Sequence, residues 1–553
     1  MTTTATVEPD TSESGSHQRN VGLLFAGLMV TMLLASLNQT VLSTALPTIV
    51  GELNGVDHMT WVITSYILAS TIVMPVYGSI SDRLGRKPVL IAAIVLFLAG
   101  SVVGALAQGI GVLIVGRIVQ GIGGGGLMIL SQAAIADVVP ARDRGKYMGL
   151  MGAVFAVSSV AGPLLGGWLT EGPGWRWAFW MNVPLGALAI AATVAFLHLP
   201  KVAATVRPKI DYLGMSLIAA ATTAVVLVCT WGGGTYEWIS PQIIGLGVGA
   251  AALAALFVFV ESRAESPVMP LTLFKDRSFV LTTIAALMIG IAMFGAVGYM
   301  PTYIQMVSGV NATEAGLLMI PMMGALLIAS TFSGQVVSKT GRYKMFPIIG
   351  SVIMGVGLTL LSTMHANTAT WVMCAYLAVL GFGIGLGMQI LTLIVQNAFP
   401  ARVVGTATAS INYFRQVGAT IGSAVVGSVF ASRLATLLQE KLGGVNDPSG
   451  AAGSGMKSLT PASVNALPDA ARIPIVESYN DALLPIFLFM APLAVIAVIA
   501  LWFLEEKPLS EQVEHEISAE SLAEGQLLVT DLDDPAEAAT PARIPAASRV
   551  HDR

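Results

Sequence analysis

Two arginines, Arg117 and Arg415, lie deep inside apolar runs, and Gln120 follows Arg117 at the three-residue spacing that shares a helical face. A guanidinium in hydrocarbon is costly, so such a residue faces a cavity or meets a partner. The chemistry open to it is recognition of a polar or charged solute. Bond-breaking chemistry has no comparable constellation: the chain shows no paired acid and base, no metal-ligand spacing and six His in all. Nor is Gly123–Gly126 a phosphate loop, because no Lys-Ser/Thr follows it and it falls within an apolar run.

A second charged constellation is "GSISDRLGRK", from Gly78 to Lys87. Asp82 has the wrong sign for a loop that is merely basic. It ends a helix, so its expected partner is a positive helix N-terminus or an arginine from a neighbouring loop. Gly78 permits close approach of helices and Gly85 a tight turn. Fastened in one state and released in another, Asp82, Arg83 and Arg86 would latch one face of the molecule. A loop that only fixes orientation in a membrane needs neither the Asp nor the glycine spacing.

The elements that hold these residues are membrane spans. The 553 residues are 55% hydrophobic and 11% charged, and the apolar runs reach the ~20 residues that cross a bilayer. Fourteen spans are predicted, at 21–49, 59–80, 88–108, 112–136, 147–170, 177–198, 212–232, 241–261, 279–303, 314–337, 345–364, 370–396, 404–432 and 482–504. An even number puts both termini on one side. Loops on that side carry Arg83, Arg86, Lys87, Arg142, Arg144, Lys146, Lys339, Arg342 and Lys344, whereas the opposite side holds Arg176, Arg433, Lys441, Lys457 and Arg472. The basic side is therefore expected to be cytoplasmic. The run from Val21 reads as a retained span rather than a signal peptide. Cys229 and Cys374 read as buried thiols, and the net charge of −4 gives no reason to expect nucleic acid.

The chain also repeats itself. "GSISDRLGRK" from Gly78 has an echo in "GQVVSKTGRYK" from Gly334, pairing Gly85 with Gly341 and Arg86 with Arg342 while Ser338 replaces Asp82. "VPARDRG" near Pro140 has an echo in "FPARVVG" near Pro400. The common spacing of the two matches argues for a duplicated six-helix unit with two helices inserted between the copies. Two parallel six-helix halves form a transporter architecture with a midplane site at their interface.

With these motifs the chain resembles the fourteen-helix drug:proton antiporters of the major facilitator superfamily, the EmrB/QacA type. The loop motif matches the superfamily, "LIVGRIVQGIGGGG" (113–126) the fourth-helix motif, "VAGPLLGG" (160–167) the fifth-helix antiporter motif, and "LNQTVLSTALPTI" (37–49) the first-helix signature. The resemblance implies an all-α integral membrane protein with a major facilitator fold, two six-helix bundles plus two inserted helices. It makes Arg117, Gln120 and Asp137 the proton-coupling candidates, and Gly162, Pro163, Gly166 and Gly167 a flexible antiporter kink, which could equally be a packing kink. Gly78, Asp82, Arg83, Gly85, Arg86, Gly334, Gly341 and Arg342 form the candidate latch. Asn38, Arg117, Gln132, Tyr299, Tyr303, Gln389, Asn412 and Arg415 are the candidate cavity residues, with Gln416 and a cluster of Met319, Met322 and Met323 besides. Asn38 departs from the family, which usually has Asp there. Asn cannot carry a proton, so coupling must use another acid, and a cavity without a carboxylate suits neutral or anionic solutes better than dications.

The expected domains are a cytoplasmic tail (1–20), a first bundle (21–200), the inserted helices and linkers (201–278), and a second bundle (279–504) with an external loop at 433–481. A disordered cytoplasmic tail (505–553) completes the chain. The expected function is export of amphipathic compounds by proton antiport, with no metal and no cofactor beyond the proton gradient. The expected partners are a small-molecule substrate and the lipid bilayer, with no nucleic acid. The protein is expected to be a non-enzymatic monomer in a bacterial plasma membrane. A dedicated exporter of an endogenous metabolite and a membrane sensor that does not transport are the alternatives.

Overall fold

A computed structural model describes residues 11–53, 58–197, 211–233, 235–442, 464 and 467–510. Among them fourteen segments are long and apolar enough to cross a bilayer. Hydrocarbon offers the backbone no hydrogen-bond partner, so an apolar run there closes on itself as a helix. The first half comprises α1 (Thr11–Glu52), α2 (Met59–Leu84), α3 (Arg86–Ala105), α4 (Ile110–Val138), α5 (Ala141–Glu171) and a sixth span made of α6 (Trp177–Trp180) and α7 (Asn182–Phe196). The inserted pair is α8 (Tyr212–Trp231) and α9 (Pro241–Glu261). The second half comprises α10 (Arg277–Val297) with α11 (Met300–Ser308), α12 (Ala312–Leu318) with α13 (Ile320–Thr340), α14 (Met345–Ser362), α15 (Thr370–Ala398), α16 (Ala401–Leu442) and α17 (Asp469–Trp502).

Local sequence sets the ends of these helices. Asp211, Ser240 and Asp276 cap α8, α9 and α10 by accepting from the backbone N–H three residues on. Asn311 and Glu314 form a reciprocal capping box at α12. Breaks within the ninth and tenth spans fall just before Pro301 and Pro321, near the start of the next helix, where the missing N–H is tolerated.

The two halves pack by the same pattern. In the first, α4 lies between α2 and α3 while α1 packs on α5 and α7; in the second, α15 lies between α13 and α14 while α10 packs on α16 and α17. Each half has its own apolar core. The halves meet through two equivalent crossings, α5 on α13 and α2 on α16. The inserted α8 packs against α2 and α16, and α9 packs on α8.

Three boundaries differ from expectation. Helix α1 already runs from Thr11, inside the stretch read as a tail. Helices α16 and α17 occupy both ends of the stretch read as the 433–481 loop, reaching Leu442 and starting at Asp469, because an amphipathic helix can continue beyond the bilayer where its polar groups meet water. Residues 505–510, expected to be free, are held by hydrogen bonds to Tyr343, Lys344, Asn397 and Arg142. Of the expected loop, 443–463 and 465–466 lie outside the described residues, as do 1–10, 54–57, 198–210 with the start of the expected linker, 234 and 511–553.

Candidate functional site

Between the halves lies a narrow central cavity of about 110 Å³, which meets a wider chamber of about 520 Å³ toward the face opposite the basic loops. Gln39, Phe294 and Gln416 line both. The central wall is mostly apolar, with Met32, Met74, Met128, Met151 and Met388, the rings of Tyr66 and Phe155, and the amides of Gln389 and Asn412. Arg415 is the charged side chain among the described lining residues. Its guanidinium donates to Asn412 Oδ1. Asn412 Nδ2 in turn donates to Gln132 Oε1 of α4 at 3.0 Å, which joins the halves beneath the cavity. Gln389 Oε1 is buried with no partner, a spare acceptor in the wall. A solute with an apolar body and a few polar or negative groups fits such a lining.

The candidate cavity residues divide. Gln389, Asn412 and Arg415 line the central cavity, and Tyr299 lines the outer chamber, its hydroxyl donating to Ser423 O at 2.8 Å. Gln132 is floor rather than wall. Tyr303 points the other way and donates to Asn480 Oδ1 at 2.9 Å inside the second half. Met319, Met322 and Met323 belong to that half's core, so the cavity's methionines are a different set.

Arg117 and Asn38 stand behind the wall. The Arg117 guanidinium donates to Asn38 Oδ1 (2.8 Å), Gln120 Oε1 (2.6 Å) and Val62 O (3.2 Å), and lies 4.1 Å from the Tyr66 ring centroid. Gln120 Nε2 continues the network to Ser101 Oγ at 2.7 Å. Neutral acceptors and one aromatic face thus hold a cation that is 1% exposed, with Tyr66 between it and the cavity. Asn38 Nδ2 is left without a partner. Asp137 does not join this group. It lies twenty residues along α4, about 30 Å at 1.5 Å per residue, where it pairs with Arg86 at 2.9 Å.

At the basic face Asp82 meets the helix start considered for it, while its arginine partner comes from its own motif rather than from a neighbouring loop. It pairs with Arg86 and accepts from Gly405 N (3.1 Å), Thr406 N (2.7 Å) and Thr406 Oγ1 (2.5 Å) in the first turn and a half of α16. Gly78 lets α2 reach α16, since a Cβ there would sit 2.8 Å from Gly405 O. Arg83 donates to Pro267 O at 3.0 Å, and Gly85 takes the left-handed φ of 88° that turns the chain into α3. The second half mirrors the contact. A Cβ on Gly334 would overlap the Gly145 carbonyl, and Ser338 Oγ accepts from Lys146 N at 3.0 Å. Gly341 has φ 72°. Arg342 is exposed and joins no such cluster, because Ser338 offers no charge to hold it.

The two sequence echoes are therefore the two sides of one contact: each half's loop motif seats on the other half's "PAR…G" helix start. Gly145, Gly405 and Thr406 were not singled out as latch residues, although the second echo carried both glycines. In the fifth span, α5 is continuous through Pro163; Gly162 and Gly166 face Thr40 and Val41 of α1, and nothing lies close to Gly167. The glycines that admit α1 are thus two of the three. At the opposite face, outside the spans, Glu52 accepts from Arg176 and Trp175, each at 2.7 Å, and these bonds hold its carboxyl below the usual range.

Comparison with known proteins agrees with this architecture. The family model for the Major Facilitator Superfamily matches residues 28–423. An "Uncharacterized MFS-type transporter Rv1877" of Mycobacterium tuberculosis is 42% identical, covering 89% of this chain and 70% of its own. The "Multidrug transporter protein MdtP" of Bacillus subtilis is 36% identical over 78% of this chain and 79% of its own. "Multidrug resistance protein 3" of the same organism is 31% identical over 88% and 96%. Among solved structures, the proton:xylose symporter XylE aligns with a TM-score of 0.59 at 16% identity, covering 90% of this chain and 99% of its own. That likeness concerns the fold. Helices, pseudo-symmetry, family model and relatives converge: this chain is a membrane transporter, not an enzyme, and belongs to the Major Facilitator Superfamily.

Proposed function

We propose that this transporter exports amphipathic compounds from a bacterial cytoplasm by proton antiport, with alternating access and no cofactor beyond the proton gradient. The basic face is taken as cytoplasmic, with both termini there, and the protein as a plasma-membrane monomer. The observation that carries the reading is the chamber itself. Its central cavity is apolar and methionine-rich and is lined by amides and one arginine, and the wider space beyond opens away from the basic face at which the halves are fastened. Methionine walls adapt to varied shapes, and relatives bearing multidrug names agree with breadth. With Arg415 and no carboxylate in the described wall, neutral and anionic amphipaths are the favoured substrates.

Whole-cell efflux over a panel of neutral, anionic and dicationic amphipaths tests this. The expected outcome is export of several neutral and anionic members, with Arg415→Gln lowering the anionic ones at least tenfold and the neutral ones little. Selective export of dications would overturn the substrate class. The small central volume of about 110 Å³ favours a second reading, a dedicated exporter of one endogenous metabolite; a single hit in the panel would establish it.

A further inference from the structure

The inserted helices bring two acids together where, among the described residues, no cation pairs with them. Asp211 caps α8 through Oδ1, which accepts from Gly214 N at 2.8 Å, and its Oδ2 is buried without a partner. Glu261, the last residue of α9, is 3% exposed. Its Oε1 accepts from Met269 N at 2.5 Å, and its Oε2 is likewise buried without a partner. Both free oxygens crowd over Gly214: a Cβ there would overlap Asp211 Oδ2 and sit 3.2 Å from Glu261 Oε2. Glycine leaves the room that the pair occupies.

Among the described residues the surroundings supply no counter-charge paired with either acid. Leu217, Ile218, Phe257 and Met269 pack beside the pair, and α16 adds Tyr413 and Phe414. The Tyr413 hydroxyl is 2.8 Å from Thr222 Oγ1. Of the charged residues on α2 and the linker, Arg83 donates to Pro267 O, Arg263 lies over the Phe259 ring, and Glu265 is engaged in a contact of its own. Two carboxylates facing each other cannot both stay ionised at such a site, and an unpaired buried carboxylate is costly.

We propose that Asp211 and Glu261 form a proton-binding site that holds one proton between Oδ2 and Oε2, and that losing it loosens the linker after α9. The linker connects the site to the latch, since Glu261 holds Met269 N while Pro267 O holds Arg83 and accepts from Ser79 Oγ at 3.4 Å. On release the shared O–H bond breaks, the proton passes to water at the basic face, and two like charges push α9's end from α8. This site is assigned whatever solute the protein exports.

The test uses full-length purified protein and dicyclohexylcarbodiimide, which reacts with protonated carboxyls in apolar surroundings, with adducts mapped by peptide mass spectrometry. A carbodiimide adduct on Glu261 or Asp211 is expected at mildly acidic pH, falling about tenfold per pH unit above the titration point. Asp211→Asn keeps the cap and offers Glu261 a donor, so labelling of Glu261 should drop at least tenfold. At alkaline pH, trypsin should cut after the exposed Arg263 at least fivefold faster in wild type than in the neutral double variant Asp211→Asn, Glu261→Gln. No adduct on either acid, or undiminished Glu261 labelling in Asp211→Asn, would overturn the shared proton. Equal tryptic cutting would overturn the link to the linker.

Discussion

Asn38 shows what one atom decides. Its Oδ1 serves Arg117, while its amide nitrogen is buried with nothing to bond. Arg117 has already been taken out of water, so its desolvation is common to any residue at position 38. Asn38→Asp would replace an idle donor with a second acceptor and give the cation an opposite charge, as bidentate pairs do. An unmet buried polar group costs about 1–3 kcal/mol, and a buried cation without a counter-ion more. The expected outcome is a folded variant stabilised by about 1–3 kcal/mol, read as a raised Tm in detergent, with new export of cationic members of the panel. A lower Tm would mean that this network is built for a neutral residue.

Among the elements, the starts of α5 and α16 matter as much as the loops that seat on them. Asp82 holds α16 through two backbone N–H groups and the Thr406 hydroxyl, whereas Ser338 holds α5 through the N–H of Lys146 and two weak 3.4 Å contacts, a donation to Asp143 O and an acceptance by its carbonyl from Arg142 Nε. The charged side of the latch is the stronger one. Thr406→Val removes one charge-assisted bond, worth about 1.5–3 kcal/mol, which shifts the ratio of fastened to released molecules by about tenfold or more. Cys229 reports the result, because it lines the outer chamber. In a Cys374→Ser background, thiol labelling of Cys229 should slow in Thr406→Val as the outer mouth closes more of the time. An unchanged labelling rate would show that this contact does not govern access.

On the scale of the whole molecule, span number and duplicated halves were legible in the sequence because a bilayer dictates composition along every crossing helix. Inter-helix direction was not. Tyr299 and Tyr303 lie one turn apart on the same span, yet one meets the chamber and the other Asn480, since the break before Pro301 reorients the chain between them. Asp137, a proton-coupling candidate by resemblance, is a partner of Arg86, a pairing fixed by where α3 begins beside the end of α4. The same limit hid the strap at 505–510, whose polar composition reads as a free tail. Glu506 accepts from Tyr343 N (2.7 Å) and Lys344 N (3.1 Å), Lys507 N donates to Tyr343 Oη at 2.7 Å, and Lys507 Nζ meets Asp276 at 3.0 Å. These anchors belong to the second half and its linker, but the last, Arg142 N to Ser510 O at 3.0 Å, belongs to the first. The strap therefore crosses the seam at the basic face, beside the latch. Each of these bonds contributes about 0.5–1.5 kcal/mol net, less where exposed. A chain ended after Leu504 should lose a few kcal/mol and several degrees of Tm in detergent, while one ended after Ser510 should match the full chain. If both truncations lose equally, the stabilising contacts lie beyond Ser510; if neither loses, the strap only rests on the surface it touches.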